Sequence, residues 1–266
     1  MSNDKTFSET AAAGASTGQP MVRKIGTPDL MDALAKGYDD FKANPSHLIL
    51  CIMIYPVVTL VFARIGAGYE ILPMIWPLFS GLALVGPLIA MGLYEMSRRR
   101  EQGLKVSLKD GFKVLHSPSI GAIVILSLIM VAIFLAWQLA ARAIYRLVFS
   151  GGIAVEIGDF VQQIFFTARG LELMIVGTGV GFLFAVLVLC ISVVSFPLLL
   201  DRKVSALTAA KTSARVVFAN PVTMAIWGLI IAVLLFVGCL PVFVGLAVVI
   251  PVLGHSTWHL YRKVVA

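Results

Sequence analysis

Six long apolar stretches dominate the sequence, and each approaches the length that a helix needs to cross a lipid bilayer. A spanning helix requires about 20 mostly apolar residues, because the hydrocarbon core is about 30 Å thick. The stretches lack the period-two alternation of membrane-barrel strands, and a helix satisfies its own backbone hydrogen bonds in lipid. We therefore predict an all-α, polytopic membrane protein with six transmembrane helices. The predicted spans are residues 47–65, 71–94, 120–141, 171–200, 222–237 and 242–259.

The composition supports a membrane location and excludes other classes of protein. Apolar residues make up 59% of the 266 residues and charged residues only 13%, whereas soluble domains contain about 45–50% apolar residues. Three cysteines are too few for a secreted disulfide scaffold of this length. The net charge of +7 arises from lysines and arginines beside apolar runs. We therefore predict the lipid bilayer as the partner, with no nucleic acid, and leave open further membrane-protein partners or a homo-oligomer.

Basic residues are distributed unequally between the two sides of the predicted bundle. Seventeen lysines and arginines flank the spans on one side, and four, namely Arg64, Arg142, Arg146 and Arg169, lie on the other. Loops on the cytoplasmic side carry the excess of basic residues. We therefore predict a multi-pass protein of the bacterial inner membrane with both termini in the cytoplasm, which agrees with an even number of spans. Residues 1–24 are predicted to form a disordered cytoplasmic tail without a cleavable signal peptide.

Residues 25–266 are predicted to form one helical membrane domain with a threefold repeat. The units cover about 27–96, 105–202 and 203–266. Each unit has a short amphipathic stretch, an Asn-Pro or Ser-Pro pair and two spans, so the six spans form three hairpin-like repeats. Residues 238–241, Gly-Cys-Leu-Pro, predict the turn of the last hairpin, the alternative being one long helix.

The amphipathic stretches are predicted to be short interfacial helices. In the first unit the apolar face contains Leu30, Leu34 and Phe41 at helical spacing. The opposite, polar face contains Asp32, Lys36 and Asp40. In the second unit, Ser107 and Asp110 have the spacing of a capping box, which favours a helix start at this point.

The predicted spans lack an ionisable residue near their middle, which bears on function. Proton- and ion-coupled transporters place such a group inside the membrane, because only function justifies the cost of burying it there. This argues against a coupled transporter. The remaining alternative of this kind is a channel or uncoupled transporter for a small neutral or amphiphilic solute, with a polar cavity lined by Tyr55, Ser192 and Ser195.

The four histidines are the residues of the sequence most suited to bind a metal ion or haem. His47, His116, His255 and His259 are all predicted at the cytoplasmic interface, and the last two share a helix face at i, i+4 spacing. Neutral imidazole binds metals and haem iron, so these residues are the speculative cofactor-binding candidates. The chain has no HExxH or Cys-x-x-Cys motif, and we predict neither a metal site nor a cofactor.

Several segments resemble an uncharacterised bacterial family of predicted integral membrane proteins that contain a domain of unknown function. The resemblance rests on GTPDL at 26–30, GYDDF at 37–41 and NPSH at 44–47. It continues from Gly86-Pro87 to YEMSRR at 94–99 and through SFPLLLD at 195–201. The family implies a multi-span inner-membrane protein without an assigned activity, and it supplies no catalytic residues to transfer.

The functional prediction follows from these observations. The chain contains no nucleophile elbow, carboxylate pair or phosphate-binding loop, and we expect no enzyme and no catalytic residues. The leading hypothesis is a non-enzymatic structural, accessory or assembly protein. The alternatives are the channel or uncoupled transporter described above and a haem-, metal- or quinone-binding accessory subunit of a respiratory complex.

Overall fold

The computed structural model describes residues 20–43, 72–149, 157–241 and 243–266. Within these ranges the fold is all-α, as predicted. The first predicted span (47–65), together with His47 and Tyr55, lies outside the described residues. The α-helices are α1 (Thr27–Ala43), α2 (Leu72–Leu84), α3 (Gly86–Ile89), α4 (Met91–Glu101), α5 (Ile120–Val148), α6 (Ile157–Phe165), α7 (Ala168–Ser192), α8 (Ser195–Asp201), α9 (Ala206–Ala219), α10 (Pro221–Cys239) and α11 (Leu246–Val264), and a 3₁₀ helix covers Leu108–His116.

Three helical segments of the described chain are long and apolar enough to cross a membrane. They are Ile120–Val148, Ala168–Asp201 and Pro221–Cys239, and they contain the third, fourth and fifth predicted spans. Their surfaces expose large apolar side chains, with Leu128 64%, Ile175 65% and Leu229 63% accessible. Such a surface is unfavourable in water and is suited to contact with lipid chains.

The second and sixth predicted spans are less regular than the sequence suggests. Residues 72–101 form three consecutive helices, α2, α3 and α4, with breaks at Val85 and Ala90. Pro87 lies in the first turn of α3, where a missing backbone N–H costs little. Helix α10 ends at Cys239 and α11 begins at Leu246. The alternative of one long helix is therefore wrong. Neither α2–α4 nor α11 is among the three qualifying segments, and six spans remain a prediction.

The second amphipathic stretch is a 3₁₀ helix rather than an α-helix. Its start matches the prediction, because the Asp110 carboxylate accepts hydrogen bonds from the Ser107 backbone N–H and hydroxyl, both at 2.8 Å. The helix packs closely on α4 at Gly111, where a Cβ added to Gly92 would lie 3.4 Å from the Gly111 carbonyl oxygen. A Cβ at either position would make an ordinary van der Waals contact with the opposite backbone.

Both described ends of the chain meet at one end of the bundle. Val22 and Val265 form an antiparallel bridge, and the backbone N–H of Ala266 donates to the Met21 carbonyl at 2.9 Å. Met21 and Arg23, which the sequence analysis assigns to the disordered tail, are hydrogen-bonded to Ala266 and Val264. The last residues of α4, α8 and α11 also lie here. We call this end of the bundle, where Glu101, Asp201 and Arg262 meet, the basic end.

Helix α1 packs antiparallel along α11. Near its start, Asp29 pairs with Lys263 at 3.0 Å, and nearer its end Asp40 pairs with His259 at 2.9 Å. The buried residues of α1 are Leu30, Ala33, Gly37 and Asp40. The predicted polar face is therefore wrong at Asp40, which is buried because side chains of α4 and α11 hydrogen-bond its carboxylate.

We expect the Leu30→Ala variant to be much less stable than the Met31→Ala variant. Leu30 is 0% exposed and Met31 is 59% exposed, although they are adjacent on α1. Removal of a buried leucine side chain costs about 2–5 kcal/mol, whereas an exposed substitution costs about 0.5 kcal/mol or less. Melting temperatures in detergent test this difference. Equal melting temperatures for the two variants would show that α1 is not packed on the bundle in solution.

Candidate functional site

Five polar side chains from three helices meet around the buried carboxylate of Asp40, and we call this group the Asp40 cluster. Asp40 comes from α1, Ser97 and Arg100 come from one face of α4, and His255 and His259 come from one face of α11. The Ser97 hydroxyl lies 2.5 Å from Asp40 Oδ2 and 2.8 Å from His255 Nδ1. His259 Nε2 lies 2.9 Å from the same carboxylate oxygen. Arg100 Nη1 lies 3.1 Å from Asp40 Oδ1, so both carboxylate oxygens have partners.

The number of available protons determines the direction of these hydrogen bonds. Ser97 has one hydroxyl proton and two close neighbours. With Asp40 ionised, the hydroxyl donates to Asp40, and the Nδ1–H of His255 donates to the Ser97 oxygen. The Ser97 hydroxyl therefore bridges the imidazole of His255 and the carboxylate of Asp40. In a Ser-His-Asp hydrolase the order differs, because the serine donates to a histidine that the aspartate orients.

The charge on Asp40 is maintained by its neighbours. Burial raises the pKa of this carboxyl, but hydrogen bonds from His259 and Ser97 outweigh burial and hold the pKa below its ordinary value of 3.8. A carboxyl with a lower pKa in the folded state favours folding when it is ionised. This contribution is complete above about pH 3.8, and it is lost as the pH falls through the lower pKa of the folded state.

Acid should therefore destabilise the protein partly through Asp40. We expect the Asp40-dependent fall of the melting temperature in detergent to occur as the pH is lowered from about 4 to about 2, and to be smaller in the Asp40→Asn variant, which cannot gain this proton. The measurement is a series of thermal melts of both proteins across this range. The same acid-induced decrease in both would show that Asp40 is not the group responsible.

The four histidines do not form one site. His255 and His259 share the Asp40 cluster, whereas His116 is exposed at the end of the 3₁₀ helix and lines a cavity at the basic end. His255 is fully buried, because α1 and α4 cover α11 at this point, and its interfacial depth stays a prediction. In the described ranges, no three His, Cys, Asp or Glu side chains are arranged to hold a metal ion.

Sequence reasoning missed Asp40, Ser97 and Arg100 as members of a site. A signal was present on α1, where Ala33 and Gly37 form a stripe of small residues that continues to Asp40 at helical spacing. Such a stripe allows two helix backbones to approach closely and places Asp40 on the buried side. The stripe does not reveal which residues Asp40 meets, because its partners are distant in sequence.

Ser192 and Ser195, which were predicted to line a solute path, donate their hydroxyl protons to backbone carbonyls. The Ser192 hydroxyl donates to the Val188 carbonyl at 2.7 Å, and the Ser195 hydroxyl donates to the Ile191 carbonyl. Both serines are buried. Both hydroxyl protons are donated to a backbone carbonyl four residues earlier, so neither serine has a free proton to donate to a solute.

Comparisons with known proteins support the predicted resemblance. No curated protein and no solved structure matches the chain. Residues 75–201 match the model of a family described as "Predicted integral membrane protein (DUF2189)". The matched segment extends from α2 to α8 and includes Ser97 and Arg100 of the Asp40 cluster. Over these residues the chain is similar to a family of predicted integral membrane proteins of unknown function, whereas the resembling segments at 26–47 lie outside the match.

Proposed function

We propose that this protein is a non-enzymatic structural, accessory or assembly protein of the bacterial inner membrane. In this proposal six spans form three hairpin-like repeats and both termini lie in the cytoplasm. The observation that carries the proposal is the Asp40 cluster, because its hydrogen bonds join α1, α4 and α11. The cluster connects helices from the two ends and the middle of the chain, which is a structural use of polar side chains.

The closed geometry of this cluster supports the absence of catalysis. Ser97 is 1% exposed, and its hydroxyl is enclosed between Asp40 and His255. A nucleophilic serine needs access to substrate, which this burial denies. His255 is 0% exposed, and this burial disfavours access of a haem or a metal ion to its imidazole.

The positions of the chain ends support the proposed topology. Residues 20–24 and 262–266 meet at the basic end, and an even number of crossings brings two ends to the same side. Basic residues of four segments lie around this end, including Arg98, Arg202 and Arg262. By the positive-inside rule this side is the cytoplasm.

Reporter fusions test the topology. Green fluorescent protein fused to either terminus should fluoresce, and alkaline phosphatase fused at the same positions should be inactive, since the first requires the cytoplasm and the second the periplasm. Opposite results at the two termini would contradict an even number of spans. A fusion within residues 150–156 should show the reverse pattern and serves as the control.

Affinity purification from native membranes tests the structural role. We expect membrane proteins to co-purify with the full chain and the purified sample to lack a haem absorption band. Reconstituted flux of a solute that a point change within a span abolishes would overturn the proposal in favour of the channel. A haem band or bound metal that the His255→Ala variant loses would overturn it in favour of the respiratory accessory.

A further inference from the structure

A cavity of about 290 Å³ opens at the basic end, between the end of α4, the 3₁₀ helix and the segment that follows α8. This volume is close to the lower limit of small-molecule sites, roughly 300 Å³, and suits a headgroup-sized ligand. Five basic side chains line the cavity. They are Arg98, Arg99, Lys113, Arg202 and Lys203.

The two carboxylates in the wall leave part of this positive charge uncompensated. Glu95 is buried and accepts from Arg98 at 2.7 Å and from Arg99 at 2.8 Å. Asp201 accepts from the Tyr261 hydroxyl at 2.7 Å, and its nearest distance to Arg202 is a loose 3.8 Å.

Two basic residues are therefore available for an anion. Lys113 is engaged by Asp110 at 2.6 Å, but the only ion pair of Arg202 with another described residue is the loose contact with Asp201. Lys203 is exposed and forms no ion pair within the part of the chain that the structure describes. The guanidinium group and the ammonium group are both suited to phosphate oxygens, the first as a planar fork of donors and the second as a point charge.

The cavity lies where two of the candidate spans meet the membrane surface. The span Ile120–Val148 begins directly after Ser119, and the span Ala168–Asp201 ends at Asp201. Both Ser119 and Asp201 line the cavity. The hydrocarbon core gives way to headgroups at the ends of spans, so insertion of these two segments in a bilayer would bring the basic side chains toward the lipid phosphates.

We propose that this cavity binds a phosphate group, as carried by the headgroup of an anionic phospholipid. The phosphate contacts Arg202 and Lys203, while the Glu95 pairs with Arg98 and Arg99 hold the wall in place. A free phosphate ion offers the same chemistry. The position of the cavity at the ends of the spans favours the lipid as the source of the phosphate. The inference is independent of the structural role proposed above, because it concerns different residues.

Ligand titrations of the purified full chain in a non-ionic detergent test this site. The probes are dioctanoyl phosphatidic acid, dioctanoylglycerol, which has the same acyl chains without phosphate, and sodium phosphate. At low salt we expect phosphatidic acid to bind the wild type, and the Arg202→Gln/Lys203→Gln variant to bind it about 30-fold more weakly. The matched control, Lys109→Gln/Lys211→Gln, removes two exposed charges outside the cavity and should bind as the wild type does.

The outcomes separate the sources of phosphate and can overturn the site. Binding of phosphatidic acid far more tightly than sodium phosphate assigns the lipid headgroup, and equal binding of both assigns free phosphate at the same site. Wild-type binding of phosphatidic acid no tighter than dioctanoylglycerol, or an equal loss in both double variants, would overturn the proposal. The single variant Lys203→Glu changes an exposed side chain without disturbing the wall, and it should show a comparable loss if the site exists.

Discussion

The Asp40→Asn variant should lose about 3 kcal/mol of stability, because it removes the only formal negative charge of the Asp40 cluster. The substitution preserves the size of the side chain but replaces a carboxylate that accepts from Ser97 and His259 and pairs with Arg100. The asparagine amide offers one acceptor atom in place of two and adds donors that face other donors. For a chain of this length we expect a decrease of roughly 6–12 °C in melting temperature.

The neighbouring residue supplies a matched control for this effect. Asp39→Asn makes the same chemical change at a side chain that is 60% exposed and pairs with Lys42. Exposed pairs of this kind contribute about 0–1 kcal/mol, so the melting temperature should change little. Equal decreases for the two variants would show that the charge of α1, rather than the buried cluster, matters for stability.

The Gly37→Ala variant should separate α1 from α11 and cause the other large loss of stability. A Cβ added at Gly37 would lie 2.5 Å from the backbone nitrogen and 2.7 Å from the Cα of Ser256. These atoms belong to the backbone of α11, so the contact cannot be relieved by a side-chain rotation and the helices must move apart. We expect a loss at the upper end of the usual 1–3 kcal/mol for overpacking, measured as a decrease in melting temperature.

Gly177→Ala is a control that distinguishes the steric clash at Gly37 from the general effect of a glycine-to-alanine change on helix stability. A Cβ at Gly177 in α7 would meet nothing within 4 Å, and alanine favours a helix over glycine by about 1 kcal/mol. Gly177→Ala should therefore leave the melting temperature unchanged or raise it. A stable Gly37→Ala variant with wild-type melting temperature would contradict the close approach of α1 and α11.

The two large effects concern the same contact between the ends of the chain. Gly37 permits the close approach of α1 and α11, and this approach places Asp40 beside His255 and His259. Loss of the glycine should therefore also expose the cluster to water. The double variant Gly37→Ala/Asp40→Asn should consequently be less destabilised than the sum of the two single variants, because adjacent positions that share partners are not additive.

Local features of the sequence were enough to predict the helical fold and the most apolar helices. The helices α5, α7 and α10 follow from uninterrupted apolar runs of spanning length, which are a property of neighbouring residues. The start of the 3₁₀ helix at Ser107 and Asp110 was also predicted, since a capping box joins residues three positions apart. The breaks at Val85 and Ala90 were not, because propensities do not locate short interruptions in a continuous apolar run.

By itself the sequence determined that the chain is helical and rich in membrane-spanning apolar segments, because length and hydrophobicity are read along the chain. Only the tertiary structure decided which polar residues form a site. The helical periodicity of the sequence places Asp40 on the polar face of α1, as expected of an exposed residue. Its partners Ser97 and His259 lie 57 and 219 positions away. A polar residue on a helix is buried favourably only when such partners reach it, and this condition depends on packing between distant segments rather than on any local pattern.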